Sequence, residues 1–290
     1  MKPIVLVRGG GDIASGCIYR LRRAGYAVIV NEVAIPTMIR RKVSYGNAVH
    51  QGEMALERFV ARHVSLTEAL RMFDVGSSEI PVVTESYEAV LEAVEPAIVV
   101  DAILAKKNLG TKNDDAPLVI GCGPGFTAGY DVDVVIETMR GHSLGRCIYE
   151  GSAIPNTGEP GNVGGFTKER VIHSPADGLF TARRHIGETV EAGETIGSVD
   201  DVPVVAKIPG ILHGVLKTGL MVTKGFKLAD IDARCEEQHC YSISDKSLAV
   251  GGGVLEAVSA FMYEESLKLS PFKPFAGRRT RNYKCDPTIK

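Results

Sequence analysis

Residues 119–161 combine a glycine-rich turn with charged and imidazole side chains, a mixture that a hydrophobic core does not require. Gly121, Gly123 and Gly125 follow a short apolar run that predicts a buried strand. Glycines at such close spacing let the chain turn sharply, so that backbone N–H groups face outward and can surround an anion. The segment therefore predicts an anion-binding turn at the end of a strand.

Three residues of the same segment carry reactive or charged groups. Arg140 can pair with an anionic ligand group, and His142 can act as an acid or a base near neutral pH. Cys122 lies inside the glycine turn, where local amides can activate a thiolate to carry selenium or sulfur; a small buried hydrophobe is the alternative. These three residues are the candidate catalytic groups, and whether the protein catalyses a reaction stays open.

A second glycine-rich turn lies near the start of the chain, where residues 4–30 predict a strand, a helix and a second strand. Gly9, Gly11 and Ala14 fit the pattern G-x-G-x-x-A between the first strand and the helix. Glu32 falls at the end of the second strand, where an acidic side chain can hold a ribose diol. The pattern predicts a nucleotide or another phosphate-bearing ligand, NAD(P) among them, with a purely structural turn as the alternative.

Two residues depart from the dinucleotide-binding pattern, and one further carboxylate extends the predicted site. Arg8 replaces a small apolar residue, and Asp12 either opposes a pyrophosphate at the helix N-terminus or caps the helix. Asp101 lies in an apolar run near the predicted carboxyl end of a strand, where it contacts a ligand or hydrogen-bonds nearby backbone. The predicted cofactor-binding residues are Gly9, Gly10, Gly11, Asp12, Glu32, Asp101, Gly121, Gly123 and Gly125.

Composition argues against several classes of partner. The 33 basic and 35 acidic residues nearly cancel, so the net charge gives no reason to expect nucleic acid or a membrane surface. The six cysteines include no C-x-x-C pair, which predicts reduced thiols, and the spacing of Cys235, His239 and Cys240 matches no standard zinc pattern. We therefore predict no metal site. The absence of a signal-peptide pattern and of a long apolar span predicts a cytoplasmic protein.

An internal repeat distinguishes the second half of the chain. When residues 174–200 are laid over residues 206–232, glycines and apolar residues coincide. This pattern predicts two interlocked halves of a small all-β module and resembles the biotinyl/lipoyl-like hammerhead fold. That fold carries its modified lysine at the hairpin tip, here residues 200–203, where no lysine stands. We therefore expect a structural or partner-binding module. The matched pairs are Gly178 with Gly210, Gly187 with Gly219, Val190 with Val222, Gly193 with Gly225, Ile196 with Leu228 and Asp200 with Asp232.

The predicted fold class is α/β, with a Rossmann-like parallel sheet domain and an inserted barrel-sandwich module. The sequence Gly-His-Ser-Leu-Gly at residues 141–145 matches a hydrolase nucleophile elbow, but the residues after Ser143 look extended rather than helical, which argues against acyl hydrolysis. Residues 38–53 are either a lid over the crevice or a solvated helix. The predicted divisions are a Rossmann-like domain at residues 1–168, the β module at 169–234, a returning helical segment at 235–268 and a basic, loosely ordered tail at 269–290.

Several motifs together resemble the YqeB family of selenium-dependent molybdenum hydroxylase system proteins over residues 1–265. They are RGGGDIASG, IGCGPGFTAG, ETMRGHSLGRCIYEGSAIPNTG, the internal repeat and DKSLAVGGGVLEAV. The resemblance implies an accessory role in maturing molybdenum hydroxylases, through selenium, sulfur or the molybdopterin cofactor. The implied partners are a molybdenum hydroxylase or its cofactor machinery.

The resulting hypothesis is that a crevice between Gly9–Gly11 and Gly121–Gly125 binds a nucleotide or a molybdopterin-type cofactor. An NAD(P)-dependent oxidoreductase is one alternative. A non-catalytic scaffold that binds a partner through the β module is the other. Assembly into a homo-oligomer also stays open.

Overall fold

The computed structural model describes residues 3–268, which form one large mixed sheet with helices on both faces and two smaller antiparallel sheets. Short 3-10 helices span Arg41–Val43, Tyr45–Asn47 and Glu237–Cys240. In the first part of the chain the elements are β1 (Ile4–Arg8), α1 (Asp12–Arg23), β2 (Ala27–Asn31), α2 (Ala48–Gln51), β3 (Glu53–Leu56), β4 (Phe59–His63), α3 (Leu66–Asp74), β5 (Ile80–Val83), α4 (Tyr87–Val94), β6 (Ile98–Asp101), β7 (Leu118–Cys122), β8 (Val134–Ile136) and β9 (Cys147–Ile148). They are followed by β10 (Val171–His173), β11 (Gly178–Ala182), β12 (Thr189–Val190), β13 (Thr195–Val199), β14 (Val202–Val205), β15 (Gly210–Val215), β16 (Leu220–Val222), β17 (Lys227–Asp232) and α5 (Asp245–Lys268).

The large sheet has the strand order β3-β4-β5-β2-β1-β6-β7-β8-β9. The strands from β4 to β8 in this order run parallel, and β3 and β9 pair antiparallel at the two edges. Successive residues of β1 point to opposite faces, so Val5 and Val7 pack with α1 and α5, whereas Leu6 packs with α3 and α4. Because both faces are covered, these strands are continuous apolar runs.

The predicted fold class is wrong. The large sheet is mixed rather than parallel, and the second part consists of two antiparallel sheets, β10-β17-β15-β12 and β14-β13-β11-β16, rather than a small hammerhead insert in a Rossmann-like domain. The β3–β4 hairpin was not predicted, because its turn places Glu57 at φ 54° without the glycine that usually marks such a turn. Nor does periodicity reveal a two-residue edge strand such as β9.

The internal repeat itself is present in the backbone. Gly178 and Gly210 begin β11 and β15 with φ of 147° and 154°, and Gly187 and Gly219 also match, with φ of 97° and 91°. The strands that follow these glycines bury a common apolar core that includes Phe180. The repeat thus specifies where the chain turns, and each antiparallel sheet contains strands from both copies of the repeat, as two interlocked halves require.

Helix α5 returns to the large sheet and packs closely against α1. The predicted returning helical segment at residues 235–268 contains this helix, which begins just after Ser244, whose Oγ accepts a hydrogen bond from the Ser247 N–H at 3.1 Å. A Cβ atom on Gly16 would lie 2.1 Å from the Ser247 carbonyl oxygen, and one on Gly251 would lie 2.3 Å from the Gly16 carbonyl oxygen. These glycines therefore permit close approach of the two helices.

Residues 38–53 do not form a single solvated helix: two 3-10 turns, the short helix α2 and the start of β3 occupy them, and Met38, Ile39 and Arg40 line the cavity described below. The basic segment at residues 269–290 lies outside the described residues. Among residues 3–268, no helix combines the length and the apolar character needed to cross a bilayer.

Candidate functional site

A cavity of about 400 Å³ lies between the carboxyl ends of the central parallel strands and the antiparallel sheets. Asp12 at the start of α1, Leu104 after β6, Pro124 after β7 and Thr138 after β8 line one side. Asp230 of β17 lies on the other side. Open α/β sheets bind ligands at this edge, and the volume falls in the range of roughly 300–1,000 Å³ that is typical of small-molecule sites.

The cavity is lined by more positive than negative side chains. Six basic residues face three acidic ones, Asp12, Glu159 and Asp230, although the chain as a whole carries a net charge of −2. A concave surface with such an excess concentrates anions. The basic residues are Arg40, Lys106, Arg140, Arg170, Lys227 and Lys246.

Asp230 organises the positive side chains on the side of the antiparallel sheets. Its carboxylate is 1% exposed and accepts hydrogen bonds from Arg40 Nε at 3.0 Å and Arg40 Nη2 at 2.6 Å, and from Arg170 Nη1. Burial alone would raise the pKa of Asp230, but the positive charges of Arg40, Lys227 and Arg170 lower it overall. The buried carboxylate is therefore ionised and fixes both guanidinium groups at the cavity wall.

Arg40 also links the two parts of the molecule. Its Nη1 lies 3.5 Å from Asp12 Oδ2 on α1. The flanking residues anchor to β15: the Val215 N–H donates to the Ile39 carbonyl at 2.9 Å, and Arg41 Nε donates to the Val215 carbonyl at 2.9 Å. The segment before the first 3-10 helix thus holds the antiparallel sheets beside the cavity.

Lys246 lines the opposite side, in the first turn of α5. Burial lowers the pKa of Lys246; the charge of Asp12 raises it, and those of Arg140 and Arg40 lower it further. The N-terminus of a helix repels cations, so this position is intrinsically unfavourable for a lysine. A residue that violates a local preference at the wall of a cavity is a candidate functional residue.

Arg140, predicted from the sequence as an anion-pairing group, does line the cavity. Its guanidinium binds both carboxylate oxygens of Asp245, at 2.8 and 3.1 Å. The hydrogen bonds from Arg140 lower the pKa of Asp245 to about 2. Since Asp245 begins α5, this ion pair also fixes the helix that carries Lys246.

The first predicted turn, Gly9–Gly11, is engaged mostly by other residues of the protein rather than left free for a ligand. The Glu32 carboxylate accepts from the Gly10 N–H at 2.7 Å and from the Val33 N–H at 2.8 Å. Burial raises the pKa of Glu32, and these two hydrogen bonds oppose the rise. A Cβ atom on Gly10 would lie 2.5 Å from the Gly46 Cα, so the 3-10 helix at Tyr45–Asn47 covers the place where a pyrophosphate would approach Gly10.

Gly9 and Gly11 have different surroundings. Gly9 has φ 87°, and a Cβ atom there would lie 3.0 Å from the Ile103 Cα. Gly11 precedes α1 and has nothing within 4 Å of an added Cβ. Of the three glycines of this turn, Gly11 is therefore the one with open space beside it, next to Asp12 at the cavity.

The glycines of the second predicted turn are explained by close packing. A Cβ added at Gly121 would lie 2.5 Å from the Phe126 ring. One added at Gly123 would lie 2.7 Å from Thr138 Oγ1, and one added at Gly125 would lie 2.6 Å from the backbone nitrogen of Lys107. Pro124, between the last two, lines the cavity. Asp12, which follows the first turn, also lines the cavity, but none of the six predicted glycines does.

Cys122 and His142 lie outside the cavity lining. Cys122 is 1% exposed; its contact with the Cys17 thiol, followed by burial, raises the pKa of Cys122 well above its usual range. It is therefore a neutral, buried thiol. His142 is exposed, and Ser143 is followed by strand β9 rather than by the helix that a nucleophile elbow requires.

Asp101 forms a buried ion pair with Arg8, the residue that departs from the dinucleotide-binding pattern. Asp101 is 2% exposed and accepts hydrogen bonds from Arg8 at 3.2 Å, Thr111 Oγ1 at 2.7 Å and the Ile103 N–H at 3.1 Å. The Arg8 guanidinium also stacks 3.8 Å from the centre of the Tyr87 ring. The pair ties the loop after β6 to β1 and does not line the cavity.

The charged cavity residues that sequence reasoning did not select include Arg170, Lys227, Asp230 and Lys246. A charged residue in the apolar run of β17 and a lysine in a first helical turn were available signals, since both oppose ordinary preferences. The contact between Arg170 and Asp230 depends on antiparallel pairing of β10 with β17, which no local sequence pattern predicts. Among the described residues, no group of three or more histidine, cysteine or acidic side chains is arranged to hold a metal ion.

The fold thus combines one mixed sheet with two antiparallel sheets around a cavity lined mainly by basic side chains, and comparison with known proteins adds one clear relative. No protein-family model matches the chain. The chain is 47% identical over 272 residues to "Uncharacterized protein YqeB" of Escherichia coli (strain K12), a match that covers 91% of this chain and 50% of that protein. The chain therefore spans about half the length of the curated relative that it matches. This similarity supports the resemblance to the YqeB family.

Likeness to solved structures is weak. The product-bound ectoine utilization protein EutE (DoeB) from Ruegeria pomeroyi is 12% identical, with 79% of this chain and 85% of that chain covered and a TM-score of 0.24. An aspartoacylase family protein from Mesorhizobium loti is 8% identical, with coverages of 79% and 84% and a TM-score of 0.23. A succinylglutamate desuccinylase/aspartoacylase from Rhodobacter sphaeroides is 28% identical over only 22% of this chain and 21% of that chain, with a TM-score of 0.20. Likeness at this level carries no functional argument.

Proposed function

We propose that the cavity binds a small phosphate-bearing ligand. The observation that carries this proposal is the lining of six basic and three acidic side chains in a chain whose net charge is −2. Arginine and lysine at short range from one another cost electrostatic free energy, which a bound anion offsets. Arginine pairs with phosphate through two parallel hydrogen bonds, whereas lysine acts as a point charge.

The position of the cavity supports the same ligand class. It lies at the carboxyl ends of parallel strands and at the start of α1, where Gly11 leaves open space. Backbone N–H groups and the dipole at the start of a helix favour a negative ligand group there. Asp12 opposes this effect, and its charge is partly offset by Arg40 at 3.5 Å.

We further propose an accessory role in the maturation of selenium-dependent molybdenum hydroxylases, in which the cleft handles a nucleotide or a molybdopterin-type cofactor in the cytoplasm. The shared motifs of the YqeB family and the 47% identity to a YqeB protein support this role. The partner would be a molybdenum hydroxylase or its cofactor machinery. Cys122 does not serve as the selenium carrier in this proposal, because its thiol is buried and neutral.

Calorimetric titration tests the binding proposal. Purified, reduced protein is titrated with phosphate, AMP, CTP, NAD and a molybdopterin-containing extract. Lys227→Met should weaken binding by about tenfold, which corresponds to a charged hydrogen bond worth about 1.4 kcal/mol. Lys207→Met is the matched control, because Lys207 is exposed on the same part of the chain and does not line the cavity. The proposal fails if no phosphate-bearing compound binds saturably.

Cells that lack this protein test the accessory role. We expect their molybdenum hydroxylase to lose activity and to carry less cofactor, selenium or active-site sulfur. Complementation with the Lys207→Met variant should restore the activity of the hydroxylase and its content of cofactor, selenium or active-site sulfur, whereas the Lys227→Met variant should restore them incompletely. Unchanged activity and hydroxylase composition in the deficient cells would exclude the maturation role while leaving the binding proposal standing.

A further inference from the structure

Five of the six positive side chains of the cavity form two groups, each organised by its own carboxylate, and Lys106 belongs to neither group. Arg40, Arg170 and Lys227 surround the buried Asp230 on the side of the antiparallel sheets. Arg140, which follows β8, is paired with Asp245 at the start of α5, and Lys246 is the next residue of that helix. These two groups, the two positive ends of the cavity, adjoin at Gly161: its carbonyl accepts a hydrogen bond from Arg170 Nε at 3.1 Å, and a Cβ added there would lie 3.4 Å from the Arg140 side chain.

The first group keeps a positive charge after its internal pairing. Asp230 supplies one negative charge against the three positive charges that act on it. The carboxylate also restricts the two guanidinium groups, because Arg40 binds it through two nitrogens and Arg170 binds it through one. Arg170 is held additionally by its Nε bond to the Gly161 carbonyl at 3.1 Å. Such preorganised donors lose little conformational entropy when they bind an anion.

The second group contains a cation without an ion-pair partner. Arg140 is matched by Asp245, but the Lys246 ammonium makes no hydrogen bond and no ion pair with any of the residues between 3 and 268. Lys246 is also half-buried at the wall of the cavity. A half-buried ammonium without a partner is costly, and an anionic group in the cavity would remove that cost.

We propose that the cleft recognises a diphosphate group, with one phosphate bound by Arg40 and Arg170 and the other by Arg140 and Lys246. This inference rests on the proposed function and specifies its ligand. A diphosphate places two anionic groups on one short linker, which matches two positive ends in one cavity of about 400 Å³. The shared chemistry is the diphosphate group, whether free or esterified.

The charge state of Lys246 supplies an independent readout. The groups that act on it are Asp12 on α1, Glu137 and Arg140 after β8, and Arg40 from the segment before the first 3-10 helix. Burial and the two arginines hold the pKa of Lys246 below its ordinary value despite the two carboxylates. A bound phosphate would raise this pKa, so diphosphate binding should be accompanied by proton uptake at alkaline pH.

Calorimetry with phosphate, pyrophosphate and ADP tests the inference in the full chain. We expect pyrophosphate or ADP to bind at least about tenfold more tightly than phosphate, since a second charged contact is worth about 1.4 kcal/mol or more. Lys246→Met should reduce this preference to below about threefold and should reduce proton uptake, measured at pH 9 in buffers of different ionisation enthalpy; burial also lowers the pKa of Lys227, so part of the uptake should remain. Lys112 is an exposed lysine outside the cavity lining, so Lys112→Met should preserve both the diphosphate preference and the proton uptake.

The outcomes separate this inference from the proposed function. Equal binding of phosphate, pyrophosphate and ADP would overturn the diphosphate inference and leave an anion site. A diphosphate preference that survives Lys246→Met would also overturn it, because Lys246 would not form the second end. Tighter binding of ADP than of pyrophosphate would identify an esterified ligand, and the reverse order a free one; both support the inference. Absence of binding by all three compounds would refute the inference and count against the proposed function.

Discussion

Replacement of Asp230 by asparagine should lower the free energy of unfolding by about 3–5 kcal/mol, the cost of breaking a buried ion pair by removing one partner. Asp230 is 1% exposed and accepts three hydrogen bonds from two guanidinium groups. Asparagine preserves the shape but removes the charge, and its amide NH₂ would face one of the donors. The loss is large because Arg40 and Arg170 would remain in place with uncompensated charge.

The assay is equilibrium unfolding in urea, followed by circular dichroism. Asp201→Asn is the matched control, since Asp201 is exposed and its replacement should change the free energy of unfolding by less than about 0.5 kcal/mol. In Asp230→Asn, further replacement of Arg40 and Arg170 by methionine should recover part of the loss, because neither guanidinium group would then be buried without a counterion.

The pH dependence gives a second readout of the same carboxylate. The pKa of Asp230 is lower in the folded protein than in the unfolded chain, where aspartate titrates near about 3.9. Its contribution to stability is therefore complete above that value and is lost as the pH falls through the lower, folded value. The difference in the free energy of unfolding between wild type and Asp230→Asn should accordingly shrink below about pH 4. A difference below about 1 kcal/mol at pH 7 would refute the reasoning.

Three further predictions concern the core and the thiols. Gly16→Ala should lower the free energy of unfolding by about 1–3 kcal/mol in urea titration, because its Cβ would lie 2.1 Å from the Ser247 carbonyl; an unchanged midpoint would contradict this packing. Gly252→Ala should raise it by about 0.5–1 kcal/mol, because nothing lies within 4 Å of the added Cβ and alanine favours the helix. Iodoacetamide should modify the exposed Cys235 but leave Cys122 intact in the folded protein at pH 8, as peptide mass spectrometry would detect; rapid modification of Cys122 would contradict its burial.

Local patterns predicted the elements around the cavity more successfully than the fold as a whole. The apolar runs that form β1, β6 and β7 were recognisable because both faces of these strands are buried. The helix capped by Ser86 was also recognisable, since serine is a common N-terminal capping residue. The β3–β4 hairpin was missed because Glu57 adopts a positive φ that glycine or asparagine would normally mark.

The candidate site was only partly predictable for a similar reason. Asp12 and Arg140 follow predicted strands, so their position at the strand ends could be expected. Arg170 and Asp230 meet through antiparallel pairing of β10 and β17, which sequence periodicity does not encode. Glu32 has the residue type and position of a ribose-binding acid, yet its oxygens bind backbone N–H groups, because the chain folds another segment over Gly10.

The docking of α5 on α1 has a consequence for synthesis of the polypeptide. Strands β1, β6, β7 and β8 precede residue 137, but Lys246 and the Asp245 partner of Arg140 come with α5. A nascent chain therefore completes the large sheet well before it can assemble both walls of the cavity. The complete cavity is therefore assembled only after the last described helix has left the ribosome and packed into place.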